Sequence, residues 1–270
     1  HWGGELPRGD WIDSVTPNTP VFIQRLDGHM ALANSAALRA AGVTRDTKDV
    51  AGGDIVRDSN GEPTGVLKDN AMAIVYRAVP DPLREQEDAA LDAAMRFVAA
   101  QGVTSVHHMG TWGDLAAFDR ARKAGRLRTR IYAAVPLATW ERLRDTVAAR
   151  GRGDEWLHIG GLKGFVDGSL GSHTAAMLAP FTDAPGDTGL YVNTPQALHA
   201  WTKGADAASL HVIIHAIGDK ANRNLLDVYE SVGRENGSRD RRFRIEHAPH
   251  LAARDIPRFA RLGVIASMQP

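Results

Sequence analysis

The chain has 270 residues, 43% of them hydrophobic and 24% charged, which is enough apolar material for a large core and excludes a disordered chain. Lys plus Arg and Asp plus Glu both number 32, so no general attraction to nucleic acid or to an anionic membrane is expected, and a small-molecule substrate fits better. With no cysteine, disulfides, thiolate metal sites and a cysteine nucleophile are excluded, and any metal must be held by His, carboxylate or modified Lys.

The opening His1-Trp2-Gly3-Gly4-Glu5 resembles no secretory leader and lacks an initiator Met, so the chain is read as an internal piece of a longer, cytoplasmic polypeptide. No apolar run reaches the length of a membrane span. The first 80 residues predict a strand over 21–25, a helix over 31–41, a hairpin around 58–62 and a helix over 66–79, taken together as an insertion or cap. A long helix over 82–100 then feeds a regular alternation. Strands are expected at 104–107, 130–134, 159–166, 212–215, 243–246 and 263–267, with helices over 114–123, 138–149, 195–208, 220–233 and 252–262 between them. Six parallel strands with helical crossovers allow an open doubly wound sheet or a barrel. His107, His215 and His247 fall at or near strand ends, and Lys163 lies in the strand running into Asp167, so four strand–helix units offer polar groups to one mouth. A barrel occupying residues 81–270 gathers them best.

Val212-Ile213-Ile214-His215 places an imidazole directly after three apolar strand residues, and Phe243-Arg244-Ile245-Glu246-His247 repeats the arrangement one unit later. Neutral imidazole is a common ligand for zinc, and two from neighbouring strands can share an ion. Lys163 sits in Ile159-Gly160-Gly161-Leu162-Lys163-Gly164-Phe165-Val166-Asp167, a segment built for burial. A buried ammonium must lose its proton, find an anion such as Asp167 or Glu246, or be converted by carbon dioxide into a carbamate able to bridge two metals. Asp219 reads as a cap of the following helix, and the run Arg239-Asp240-Arg241-Arg242 as a solvated turn.

Three runs, Lys163-Gly164-Phe165-Val166-Asp167-Gly168-Ser169-Leu170-Gly171-Ser172-His173-Thr174-Ala175, His215-Ala216-Ile217-Gly218-Asp219-Lys220-Ala221-Asn222 and Arg244-Ile245-Glu246-His247-Ala248, together resemble amidohydrolase family 3 in its YtcJ-like branch, which includes N-substituted formamide deformylases. Asp27-Gly28-His29, Pro63-Thr64-Gly65-Val66-Leu67 and Gly102-Val103-Thr104-Ser105-Val106-His107 extend the resemblance over nearly the whole chain. It implies an α/β fold, a (β/α)8 TIM-barrel-like metal-dependent hydrolase that cleaves the C–N bond of an amide or N-substituted formamide with metal-activated water. The six strands would then be the second to seventh of the barrel. The resemblance implies one or two divalent ions, zinc being expected, with carbamylated Lys163 bridging and His215 and His247 as ligands. It places His29, Asp167 and Ser172 near the substrate and is compatible with a homo-oligomer.

The family's opening His-any-His strand and the Asp that follows its last strand, its proton shuttle, have no counterpart here, so no catalytic residue is assigned. His107 and His108 are neighbours on one strand and point to opposite faces, so they do not substitute for the opening pair, and His108 stands where related sequences are expected to carry Asp. The competing expectation is therefore a noncatalytic fragment or pseudoenzyme that keeps the fold and at most partial metal binding.

Overall fold

The computed structural model describes residues 5–269; the start on which the leader reading rests, residues 1–4, and the final residue, 270, lie outside the described residues. The chain divides into two compact units, one comprising His1–Pro80, Val166–Thr194 and Ala216–Asn222, the other Asp81–Phe165, Pro195–His215 and Arg223–Pro270. Among the described residues no helix is long and apolar enough to cross a membrane.

The first unit is organised by an antiparallel sheet of β1 (Phe22–Gln24), β2 (Met30–Ala33), β3 (Gly53–Arg57) and β4 (Pro63–Asp69), ordered β1-β2-β4-β3. The helix expected over 31–41 is instead β2 followed by the short α1 (Ser35–Ala40). Asn34 makes the break, because its Oδ1 accepts from Ala37 N and Val21 N, both at 2.9 Å, capping the helix and tying it to the residue that leads into β1. The helix expected over 66–79 is likewise β4 followed by α2 (Met72–Tyr76). Leu67 pairs with Ala31 on one side and Ile55 on the other, and all three are buried with Met72 and Val75. This core captures Met30-Ala31-Leu32-Ala33 as strand although its intrinsic preference is helical. The hairpin expected around 58–62 joins β3 to β4, with Asp58 Oδ1 accepting from Asn60 N at 2.8 Å and Glu62 N at 3.0 Å.

The second unit follows the expected alternation closely. After α3 (Arg84–Ala100) come β5 (Ser105–Met109), α4 (Trp112–Lys123), β6 (Arg130–Pro136), α5 (Trp140–Arg150) and β7 (Leu157–Phe165). Then follow α6 (Pro195–Ala207), β8 (His211–Ala216), α7 (Asp219–Glu235), β9 (Arg244–His247), α8 (Ile256–Leu262) and β10 (Ile265–Ser267). The strands form one curled, parallel half-barrel sheet of sequential order β10-β9-β8-β7-β6-β5. Parallel strands covered by crossover helices are buried on both faces, and Val212, Ile213 and Ile214 are accordingly all 0% exposed. Between β6 and β7 the register shifts at Ala133/Ala134, opposite Gly160, whose φ of +136° only glycine adopts without strain. The shift places Lys163 opposite Pro136 on one side and Ile213 on the other, and Phe165 opposite His215.

Candidate functional site

In the parallel-sheet unit, Lys163 lies near the carboxyl end of β7, 8% exposed, with its Nζ 4.6 Å from the centre of the Phe165 ring. Burial lowers its pKa to about 8; the carboxylate of Glu246 opposes the shift and the guanidinium of Arg244 adds to it. One strand over, His215 is 2% exposed, and its ring centre lies 5.3 Å from that of Phe165. The His247 ring, at the end of β9, meets His215 edge-to-face with centres 4.8 Å apart. His247 Nδ1 lies 3.0 Å from Gln269 Oε1, an acceptor, which puts the ring proton on Nδ1 and the lone pair of the neutral ring on Nε2. His247 and Ala248 both have left-handed backbones, with φ of +74° and +46°, a conformation that costs non-glycine residues energy and sharply turns the chain leaving the strand. The structure thus brings the two imidazoles together, with the amine on the adjacent strand.

On these strands His107 and Glu246 also pair with Arg244, and His211 with Tyr132, contacts that the sequence reading did not find. Arg244 Nε pairs with Glu246 Oε1 at 2.5 Å, and its Nη1 donates to His107 Nδ1 at 2.8 Å. Burial and Arg244 together hold His107 below the usual imidazole value. His211 Nε2 donates to Arg242 O at 2.9 Å, so its Nδ1 accepts from Tyr132 Oη at 3.0 Å. His108 points to the opposite face, where Nε2 lies 3.4 Å from Asp114 Oδ2 and the ring packs edge-on against Phe118. A cleft of about 810 Å³ opens beside it, lined by Leu91, Ala94, Val98, Val106 and Phe118; Lys163, His215 and His247 do not line it.

The other three expected residues lie in the antiparallel unit. Asp167 is 0% exposed; its Oδ2 accepts from Ala176 N and Gly218 N, each at 2.8 Å, and its Oδ1 from Ile217 N at 3.0 Å. Burial pushes this carboxyl up to about 7 against the three amides, with His29 also opposing. Gly218 is required for the approach, since a Cβ there would sit 1.9 Å from Ala176 O. Ser172 Oγ lies 2.8 Å from Ser169 Oγ and 2.7 Å from Thr174 Oγ1, and Ser169 Oγ donates to Asp27 Oδ2 at 2.8 Å. His29 Nδ1 is 2.6 Å from Asp69 Oδ1. Nothing local in the sequence pointed to Asp69, which is 40 positions away. Asp219, expected as the cap of α7, is its first residue, and its Oδ1 accepts from Leu178 N at 2.8 Å.

Among the described residues no three or more His, Asp or Glu side chains gather as a metal-holding group, so the candidate donor set is two imidazoles and an amine. Comparison with known proteins adds the following. The profile of the family described as "Amidohydrolase family" matches residues 6–270. The chain is 45% identical to "Protein LONG AFTER FAR-RED 3" of Arabidopsis thaliana, covering 100% of this chain and 48% of that protein. It is 32% identical to "Putative amidohydrolase YtcJ" of Bacillus subtilis, covering 98% and 54%. It is 28% identical to "N-substituted formamide deformylase" of Arthrobacter pascens, covering 94% and 48%. Among solved structures, an uncharacterized metal-dependent hydrolase from Pyrococcus horikoshii superposes with a TM-score of 0.74 at 30% identity, covering 99% of this chain and 52% of that one. The chain spans about half the length of the relatives it matches.

Proposed function

From the premise that this chain belongs to the amidohydrolase family, we propose that it carries part of the site of a metal-dependent hydrolase acting on the C–N bond of an amide or N-substituted formamide. Lys163, His215 and His247 are assigned as ligands of a divalent ion, zinc being the choice that suits imidazole and carbamate donors. The observation that carries the assignment is the edge-to-face pair His215 and His247 at the ends of adjacent strands, with a buried amine on the next strand. The donor chemistry fits: His247 has its Nδ1 committed to Gln269, and burial disfavours the charged form of Lys163. A neutral amine adds carbon dioxide at Nζ and releases one proton, which turns a monodentate nitrogen into an anionic pair of oxygens. When bound, a divalent ion supplies Lewis-acid polarisation of a carbonyl and a nucleophilic water. The chain's own residues hold the donors, and His29, Asp167 and Ser172 are assigned to binding the substrate.

The test is metal content and turnover of the purified protein. One or two divalent ions per chain, together with release of amine from N-substituted formamides, are expected. Retention of metal after Lys163→Ala and His215→Ala would remove the assignment. A second reading, a noncatalytic protein that keeps the fold and partial metal binding, is favoured by a candidate donor set of only two imidazoles and one amine among the described residues. It is also favoured by a 45% identical relative whose name states no enzymatic activity. Metal uptake without amine release would select it.

A further inference from the structure

Arg244 of β9 and His107 of β5 share a hydrogen bond although β8, β7 and β6 lie between their strands. At about 4.8 Å per strand, a flat sheet would hold the two strands ~19 Å apart, beyond the combined reach of an arginine and a histidine side chain. The 2.8 Å contact therefore spans the inside of the curl. It reaches a weakly held element: β5 is an edge strand paired with β6, and none of Ser105–Met109 is buried.

The bond exists only while His107 is uncharged. A guanidinium can only donate and keeps its proton, so Nδ1 of His107 supplies the lone pair and the ring proton sits on Nε2. A second proton would occupy Nδ1, end the bond and set two cations face to face. The surroundings favour the neutral ring. Burial and Arg244 hold His107 below the ordinary value of 6.5, against the carboxylate of Glu246. From β6, Tyr132 packs with its ring centre 4.8 Å from that of His107, stacks on His158 of β7 at 5.4 Å and meets His211 of β8. Burial raises Tyr132, which keeps its proton, and lowers both of these imidazoles. Arg152 adds to the lowering of His158; Arg244 and His107 add to that of His211, against the Arg242 carbonyl and Glu246. Lys163 of β7 feels the same Glu246 and Arg244, while His108 and Asp114 lie on the other face of β5. Because the folded value of His107 lies below the unfolded one, its contribution to stability is complete above 6.5 and is lost as pH falls.

We infer that the Arg244–His107 hydrogen bond is a proton-released clasp, which at neutral pH holds the edge strand β5 across the concave face of the sheet and in mild acid lets that strand go. The inference stands apart from the metal and substrate assignments, since none of those residues takes part in the clasp.

The test uses the full, metal-free chain. The His107 ring is titrated by NMR, and amide hydrogen exchange over Ser105–Met109 is measured at about pH 7.5 and about pH 5.5 as protection relative to intrinsic rates. His107 is expected to titrate below 6.5, and protection of β5 to fall about tenfold in acid, as for the loss of one hydrogen bond to a charged group. His107→Gln, whose amide oxygen accepts from Arg244 at either pH, should keep β5 protected in acid. His107→Leu, which offers no acceptor, should leave β5 about tenfold less protected at both pH values. Equal acid losses in the unsubstituted protein and in His107→Gln would overturn the clasp, as would full protection in His107→Leu at neutral pH. Should either variant fail to fold, the unsubstituted protein still decides: a His107 value above 6.5, or its titration without any change in β5 protection, overturns the inference.

Discussion

In the antiparallel unit the buried charge of Asp167 is met by three main-chain amides, whereas in the parallel-sheet unit the buried amine of Lys163 is met by the face of Phe165 and by the charge of Glu246. Both groups are pushed toward their neutral forms, to about 7 for the carboxyl and about 8 for the amine. The difference lies in what each still needs. Asp167 accepts from the amides of Ala176, Ile217 and Gly218 and so acts as a brace of the segments that carry them. Lys163 sits among apolar strand neighbours and gains most from becoming something other than an ammonium. Reactivity is therefore expected from the amine and structural dependence from the carboxyl, although only four positions separate them.

The strongest challenge to this contrast is Asp167→Ala. Leaving the amides of Ala176, Ile217 and Gly218 without their acceptor should lower unfolding free energy by about 4 kcal/mol in a denaturant titration. A change within a few tenths would remove the brace.

The pH dependence comes next. The folded chain holds the Asp167 proton up to about 7 and the unfolded chain only to the ordinary 3.8, so protonation favours folding. That contribution is complete below the unfolded value and fades as pH rises through the folded one. A decline of about 3 kcal/mol between pH 5 and pH 8 is expected from this group at about 1.4 kcal/mol per pH unit. Melting curves of Asp167→Asn should lack that component.

On the other side of the contrast, His215→Ala should weaken zinc binding about a hundredfold by calorimetry, and because the ring is buried it should also lower the melting temperature of the metal-free protein. Lys163→Met sharpens the contrast most directly. In metal-free protein it should raise stability by about 2 kcal/mol, because a buried amine is replaced by an apolar chain of similar length, while zinc uptake falls. A destabilised Lys163→Met would mean that the amine is satisfied after all, as Asp167 is.

The parallel unit was readable because each strand is a local signal. Val212-Ile213-Ile214 is apolar on both faces, ends in His215, and is followed by Gly218 and an amphipathic helix, so strand, turn and ligand candidate come from eight consecutive residues. The antiparallel unit was not readable in the same way. Met30–Ala33 contains Met, Ala and Leu, which favour helix, and the expected helix over 66–79 opens with strand residues; both are strands because Met30 pairs with Lys68 and Leu32 with Val66, over thirty positions away. The polar partners divide similarly. His215 and His247 were found from strand ends. Asp69, Tyr132 and Arg244 were not, because their partners His29, His211 and His107 are 40, 79 and 137 positions distant.

The order of residues alone set the alternation of strands and helices from position 104 onward, the exclusion of thiolate chemistry, and the candidates proposed as nitrogen donors. Each of these depends on side-chain type and on spacing within one turn or one strand. Only the folded chain decided that Asp167 is enclosed by amides, that Lys163 is not, and that Asp69 stands behind His29. Hydrogen-bond partners and burial belong to pairs of distant segments, and the free energy of a charge depends on which neighbours replace its water.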